Sequence, residues 1–325
     1  MNRMHLKTSL MAAAITFASA LSGLSQAAPA AGTVDLLTTP PELTTKVAPN
    51  VVLTFDDSGS MVRAHMPDQR PYDGSSWSTS ARWYCAAVID PQAAAGTLNA
   101  LPMNGMYYNP NTTYRPPLYE NGASFDDASF TAAWLEGIQH NRPGGTASST
   151  SNLSTRSFCG KTGAGYYRYT GPALTADASG KISNTGTLYT SSNWTWVPLP
   201  AAEQQNFANW FSYYRYRKIA AISGTSHAFA DFDHGIRVAW QNINSNTTAN
   251  PFVAGGTTIL SPFQGATRTK FYNWLFNNPA SGGTPNQAAA NRVGTLFTYG
   301  NNSNRLTPKN PYYDPDSGRE LACRK

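Results

Sequence analysis

The stretch VVLTFDDSGSM, Val51 to Met61, decides how this chain folds: five apolar or β-favouring residues run without a break and end in two aspartates, a glycine and two serines. Such a run suits a strand covered on both faces, the habit of a parallel sheet flanked by helices. A turn at its tip would need only one Asp and one Gly. Asp56, Ser58 and Ser60 instead recur at every second position, so three hard oxygen donors can converge on one point beyond the carboxyl end of the strand. In an open α/β sheet, ligands bind at that end of the strands.

Regular patterning returns far downstream. NFANWFSYYRYRKIAAISGTSHAFADF places Phe207, Trp210, Phe211, Tyr214, Ala221, Ile222 and Phe229 at spacings of three and four and predicts one long amphipathic helix. GIRVAWQNI then alternates Ile236, Val238 and Trp240 as a strand does. TTILSPF reads as an edge strand, ATRTKFYNWLFNN as a helix, PASGGTPNQ as a glycine loop, and QAAANRVGTLFTYG as a second helix closed by Gly300. Strands alternating with helices of this length describe an α/β, doubly wound fold.

Between Val62 and Gln205 the texture changes to Gly, Ser, Asn, Tyr and Pro with few charges, and pieces such as GMYYNPNTTYRPPLY and GTLYTSSNWTWVPLP read as β-ribbons and ordered loops. The density of Tyr and Trp argues against a disordered linker. Residues 62–205 therefore form one long insertion after the first strand.

The first residues carry Arg3, His5 and Lys7, then a short apolar segment, then small residues with a cut site after Ala27 or Ala28. This is a signal peptide over 1–27, since the apolar segment falls short of the ~20 residues needed to span a bilayer. Residues 28–48, rich in Ala, Thr and Pro, follow as an extended leader. Loss of Arg3 and Lys7 with the signal brings the formal net charge from +6 to +4. A balance so mild, with no dense Lys/Arg cluster, argues against nucleic-acid binding. The nearest cluster, YYRYRK at Tyr213 to Lys218, has the spacing of a helix with one wet face. In an exported chain the three cysteines point to a Cys85–Cys159 disulfide and an odd Cys323. The absence of CxxC or CxxH pairs argues against zinc or haem.

Asp56, Ser58 and Ser60, with Thr284 in the glycine loop, suit a hard divalent cation such as magnesium or manganese, which prefers six oxygens. Held mainly by neutral hydroxyls, such an ion stays electrophilic and can take an acidic group from a partner. Each piece also has a plain structural reading: DDSGS as a polar turn or cap, and Thr284 before Pro285 as a helix start. Found together, at one strand tip and one glycine loop, they are far more specific.

TFDDSGSM and SGGTP resemble the first two metal-site loops of the von Willebrand factor A domain. More widely, APNVVLTFDDSGSM, YYNPNTTYRPP, NFANWFSYYRYRKIAAISGTSHAFA and SGGTPNQAAANRVG are similar to the N-terminal region of the PilY/PilC family of type IV pilus tip-associated proteins. The resemblance implies an incomplete A-type domain over 49–61 and 206–325, with Ser58, Ser60 and Thr284 bonding a Mg2+ or Mn2+ ion directly and Asp56 through water. It implies export to the periplasm, outer membrane, pilus tip or surface of a Gram-negative bacterium. Minor pilins and an acidic surface ligand are the implied partners, and twitching motility and adhesion the implied roles. The family carries a further loop aspartate, typically in a TDG tripeptide, and this sequence ends at ELACRK where that strand is expected. The chain therefore reads as an N-terminal fragment that binds magnesium weakly or not at all.

Other candidates are weaker. DPDSGRE, Asp314 to Glu320, spaces carboxylates like part of a calcium loop but is short and reads better as a turn. His65, His140, His227 and His234 form no ligand pair in sequence, the last two reading as capping or surface residues. The competing function is a secreted carbohydrate-binding protein or hydrolase using the aromatic insertion. Asp126, Asp127 and Glu136 are available to it, but their spacing selects no catalytic pair, and neither GxSxG nor HExxH occurs.

Overall fold

A computed structural model of the protein describes residues 48–66, 85–88, 104–175, 185–187, 190–233, 235–244, 260–298, 310–314 and 318–320. The signal peptide, most of the leader, His234, Gly300 and Cys323 lie outside these residues. In chain order the strands are β1 (Asn50–Phe55), β2 (Ala86–Val88), β3 (Ala133–Trp134), β4 (Thr150–Ser151), β5 (Ser157–Phe158), β6 (Lys161–Thr162), β7 (Gly165–Tyr169), β8 (Trp194–Pro198), β9 (Arg237–Asn242), β10 (Ser261–Pro262), β11 (Tyr313–Asp314) and β12 (Arg319–Glu320). The helices are α1 (Gly137–Asn141), α2 (Gln204–Tyr213), α3 (Arg217–Ala230), α4 (Gly265–Phe276) and α5 (Asn286–Thr298).

The apolar run does form a strand. β1 pairs in parallel with β9, Val51 opposite Val238 and Phe55 opposite Asn242, and the short β10 closes the other side of β9 in antiparallel register. Period two then sorts the side chains of β1. Val51, Leu53 and Phe55 join the large cluster beneath α2, α3 and α4, while Val52 joins Ala239, Leu260 and Leu296 on the side of α5. The result is a mixed α/β domain with helices on both faces of a small sheet. Within the described residues β1 is an edge strand, covered on both faces as its apolar run predicts but with most of its residues half-buried.

The long helix divides in two. Tyr216 is extended (φ −141, ψ 160) at the start of α3, and Tyr214 leaves helical geometry at the end of α2. Contacts remote in sequence hold the break open. The Arg215 guanidinium donates to the Phe211 carbonyl 2.7 Å away and to the Leu135 carbonyl. Arg217 donates its backbone N–H to Arg63 O at 3.1 Å and its side chain to His65 O. The Ser223 hydroxyl satisfies Tyr213 O at 2.8 Å, one of the carbonyls a helix end leaves open. The stretch expected to present a wet basic face is thus a staple: its arginines satisfy buried carbonyls, and Arg215 also lies against the Phe211 and Tyr216 rings.

The insertion contributes ribbons, as its texture predicts: β2, β7 and β8 form one three-stranded sheet, and β3–β4 and β5–β6 form antiparallel pairs. Among the described residues many of its aromatics are core. Tyr108, Phe125, Tyr166, Tyr169 and Trp194 are buried, and Tyr108 packs on Phe207 with ring centroids 4.8 Å apart. A stacking platform for sugars would need such rings in solvent. Among the described residues the exposed large apolar side chains are Val62, Met66 and Phe232, so no such platform is seen among them. Cys85 and Cys159 are joined by a disulfide, which ties β2 to the β5–β6 turn. The two ends of DPDSGRE pair in antiparallel register as β11 and β12, Asp314 opposite Arg319; residues 315–317 lie outside the described residues.

Candidate functional site

The carboxyl ends of β1 and β9 lie side by side, and the chain leaving β1 turns at once into a short 3-10 turn, Gly59–Val62. Asp56 folds back on this turn, its Oδ1 accepting the Ser58 N–H at 2.8 Å. Ser58, nearly inaccessible, brings its Oγ to 3.0 Å from Ser60 Oγ. These two hydrogen bonds tie Asp56, Ser58 and Ser60 into one turn.

The glycine loop is bound to this turn through the backbone. Gly59 donates to Gly282 O at 3.0 Å and Ser281 donates to Asp57 O at 2.7 Å. Gly282 has φ +90, a conformation open chiefly to glycine, and a Cβ there would lie 3.0 Å from the Asn244 side chain. Thr284 follows on the exposed side of the loop, and α5 begins directly after it, with Ala289 N bonding Pro285 O at 3.0 Å.

The residue that organises the site is one that local spacing does not single out. Asp57, 4% exposed, accepts from Asn242 Nδ2 and from the Asn244 backbone N–H, each at 3.0 Å. Asn242 is held in turn by Asn278 and by Trp274 Nε1 at 2.8 Å, while Asn244 Nδ2 donates to the Ser281 and Gly283 carbonyls. Arg292 of α5 caps the end of β9, donating to Asn242 O and Ile243 O and to the Gln241 side chain. One buried carboxylate and three asparagines therefore lock the two loops together. The doubled aspartate and the asparagine-rich QNINSN run were the only traces of this network in the sequence.

Two oxygens each about 2.1 Å from an octahedral cation and at right angles to one another sit about 3.0 Å apart. The two hydroxyls are hydrogen-bonded to each other at a separation equal to that spacing, so the pair is compatible with a magnesium-sized ion. The Oδ1 atom of Asp56 is engaged by the Ser58 N–H. Among the described residues no three His, Cys, Asp or Glu side chains converge as metal ligands. The other candidates stay apart from the hydroxyl pair. His140 stacks on Trp134 at 4.6 Å, Asp127 accepts from Asn209 at 2.8 Å, and the Nε2 atom of His227 lies 3.5 Å from Arg115 O. Glu136, in the insertion, donates its backbone N–H to Ser148.

These features define a class: a mixed α/β domain whose first strand ends in clustered oxygens clasped to a glycine loop. The chain belongs to the PilY/PilC family. It is 33% identical over 87% of its length to the type IV pilus biogenesis factor PilY1 of Pseudomonas aeruginosa strain PAK, and 29% identical over 97% to that of strain UCBPP-PA14. It spans about a quarter of the length of these relatives. No family model and no solved structure matches it. Among the described residues no helix is long and apolar enough to cross a membrane.

Proposed function

We propose that the chain serves type IV pilus biogenesis and adhesion at the pilus tip, as a non-enzymatic, exported domain of von Willebrand factor A type carrying a metal-ion-dependent adhesion site. On this reading residues 49–61 and 206–325 form the A-type domain and 62–205 its insertion. The observation that supports it most directly is the Ser58–Ser60 hydroxyl pair, spaced for an octahedral cation and clasped to the loop of Thr284. Ser58, Ser60 and Thr284 would hold Mg2+ or Mn2+ directly and Asp56 through water. The bound ion supplies a Lewis-acidic position for a carboxylate oxygen of the surface ligand. The chain's own part is to hold the hydroxyls at fixed spacing, which the Asp57 network does, and to keep the ion's charge largely uncompensated. With Asp56 as the one carboxylate of the set, affinity for the ion by these residues alone is weak, and a second acidic group strengthens it.

The test is complementation of a strain lacking the full-length protein with a Ser58→Ala, Ser60→Ala double variant. Wild-type protein restores piliation, twitching and magnesium-dependent attachment; the variant is exported but leaves attachment at the level of the deletion. Normal, magnesium-independent attachment by the variant would overturn the metal-site reading. Normal piliation in the deletion itself would overturn the pilus reading.

A further inference from the structure

A cavity of about 460 Å3 opens between α2 and the β5–β6 turn, with Ala64, just past the strand-tip turn, and the Cys85–Cys159 disulfide in its wall. Its floor is the Phe211 ring, and two guanidiniums lie against that ring, Arg215 at 4.6 Å and Arg156 at 5.0 Å from its centroid. Tyr107 and Trp210 complete the apolar side. Their polar tips are already engaged, Tyr107 Oη with Gly165 O at 2.7 Å and Trp210 Nε1 with Met106 O at 3.1 Å, so both face the cavity as hydrocarbon.

The positive charge is not spent in the same way. A guanidinium has five N–H donors. Arg215 places donors on the Phe211 and Leu135 carbonyls, and Arg156 places one on Ser151 Oγ at 3.2 Å. Among the described residues no Asp or Glu lines the cavity. Burial pushes the Arg215 guanidinium down to about 10; Glu136 opposes that shift and the charge of Arg156 adds to it. Two cations beside one partly desolvated space repel each other, and an anion between them relieves that repulsion while taking the open N–H donors.

We propose that this cavity is a binding site for a small organic carboxylate carrying an apolar or aromatic body, its carboxylate forked by Arg156 and Arg215 and its body laid on Phe211 and Trp210. The volume lies within the range of small-ligand pockets, and the lining joins apolar rings to convergent polar groups in nearly equal measure.

The test is calorimetric titration of the disulfide-intact chain with phenylbutyrate and with its uncharged amide, with Trp210 fluorescence as a second readout. The acid is expected to bind at least about tenfold more tightly than the amide, more weakly as salt is raised, and about tenfold more weakly to the Arg156→Gln chain. Arg156 is exposed and makes no backbone contact of its side chain, so this variant tests binding with little cost to the fold. Arg156→Lys, which keeps the charge but not the fork, falls between. Equal binding of acid and amide, or affinity unchanged in Arg156→Gln, overturns the proposal, as does failure of the wild-type chain to bind the acid at millimolar concentration. Should Arg156→Gln fold poorly, the acid-to-amide ratio and the salt dependence of the wild-type chain decide alone.

Discussion

Gly59 donates its backbone N–H to the carbonyl of Gly282 at 3.0 Å, across more than two hundred residues of chain. No side chain mediates this contact, so the two loops approach as closely as backbones can, and the two glycines contribute unequally. A Cβ on Gly59 would meet Gly282 O at 3.4 Å, ordinary van der Waals contact, whereas Gly282 combines φ +90 with a 3.0 Å approach to Asn244. Gly282→Ala is expected to lower stability by roughly 1–3 kcal/mol, and Gly59→Ala by under about 1 kcal/mol. Urea melts of the two variants check the order; equal losses would mean the loop is not held as described.

The neighbouring aspartates separate structure from function. Asp57→Ala strands the Asn242 amide and the Asn244 N–H in a buried site, a loss of about 3 kcal/mol. Asp57→Asn does not rescue it fully, because an amide nitrogen replaces one of the two accepting oxygens. Asp56→Ala gives up one turn hydrogen bond, about 1 kcal/mol. Thermal unfolding of both, beside attachment assays on the full-length protein, should show Asp57 governing stability and Asp56 governing attachment.

Opening the disulfide frees a loop of 74 residues. In the chain-entropy account such a crosslink stabilises by roughly 4 kcal/mol, so a Cys85→Ser, Cys159→Ser chain should unfold at much lower denaturant. An unchanged midpoint would show that packing of Phe158 on Phe207 and Phe211 suffices alone.

Stability should fall in alkali. Burial pushes Tyr214 and Tyr272 up to about 12 and raises Tyr108, Tyr114, Tyr119, Tyr166 and Tyr213 in the same direction. An unfolded tyrosine loses its proton near about 10. Above that value the unfolded chain binds fewer protons than the folded one, and stability drops until the folded values are passed. Arg215, held near 10 by burial, acts oppositely because its unfolded guanidinium keeps the proton, but it is one group against several. The urea midpoint should decline from about pH 10 toward 12, with tyrosinate absorbance rising as the chain unfolds; a rising midpoint would contradict it.

Sequence alone determined whatever is encoded within a few residues: the strand of Val51–Phe55, the alternate oxygens of Asp56, Ser58 and Ser60, the helices flanking the glycine loop, and the family likeness those loops carry. Tertiary structure decided the rest. Asp57 and Asp56 are adjacent and chemically identical, and only the folding of Asn242 and Asn244, 185 and 187 positions away, makes one a buried brace and leaves the other at the site. The break between α2 and α3 follows from Arg215 and Arg217 reaching carbonyls at Leu135 and His65, partners that helical periodicity cannot register. The aromatic insertion resembled an exposed platform because composition counts rings without saying where they point. Burial of Tyr108 against Phe207 of α2 and Tyr166, and of Trp194 against Tyr169, gives those rings to the core, since each removes a large apolar area from water.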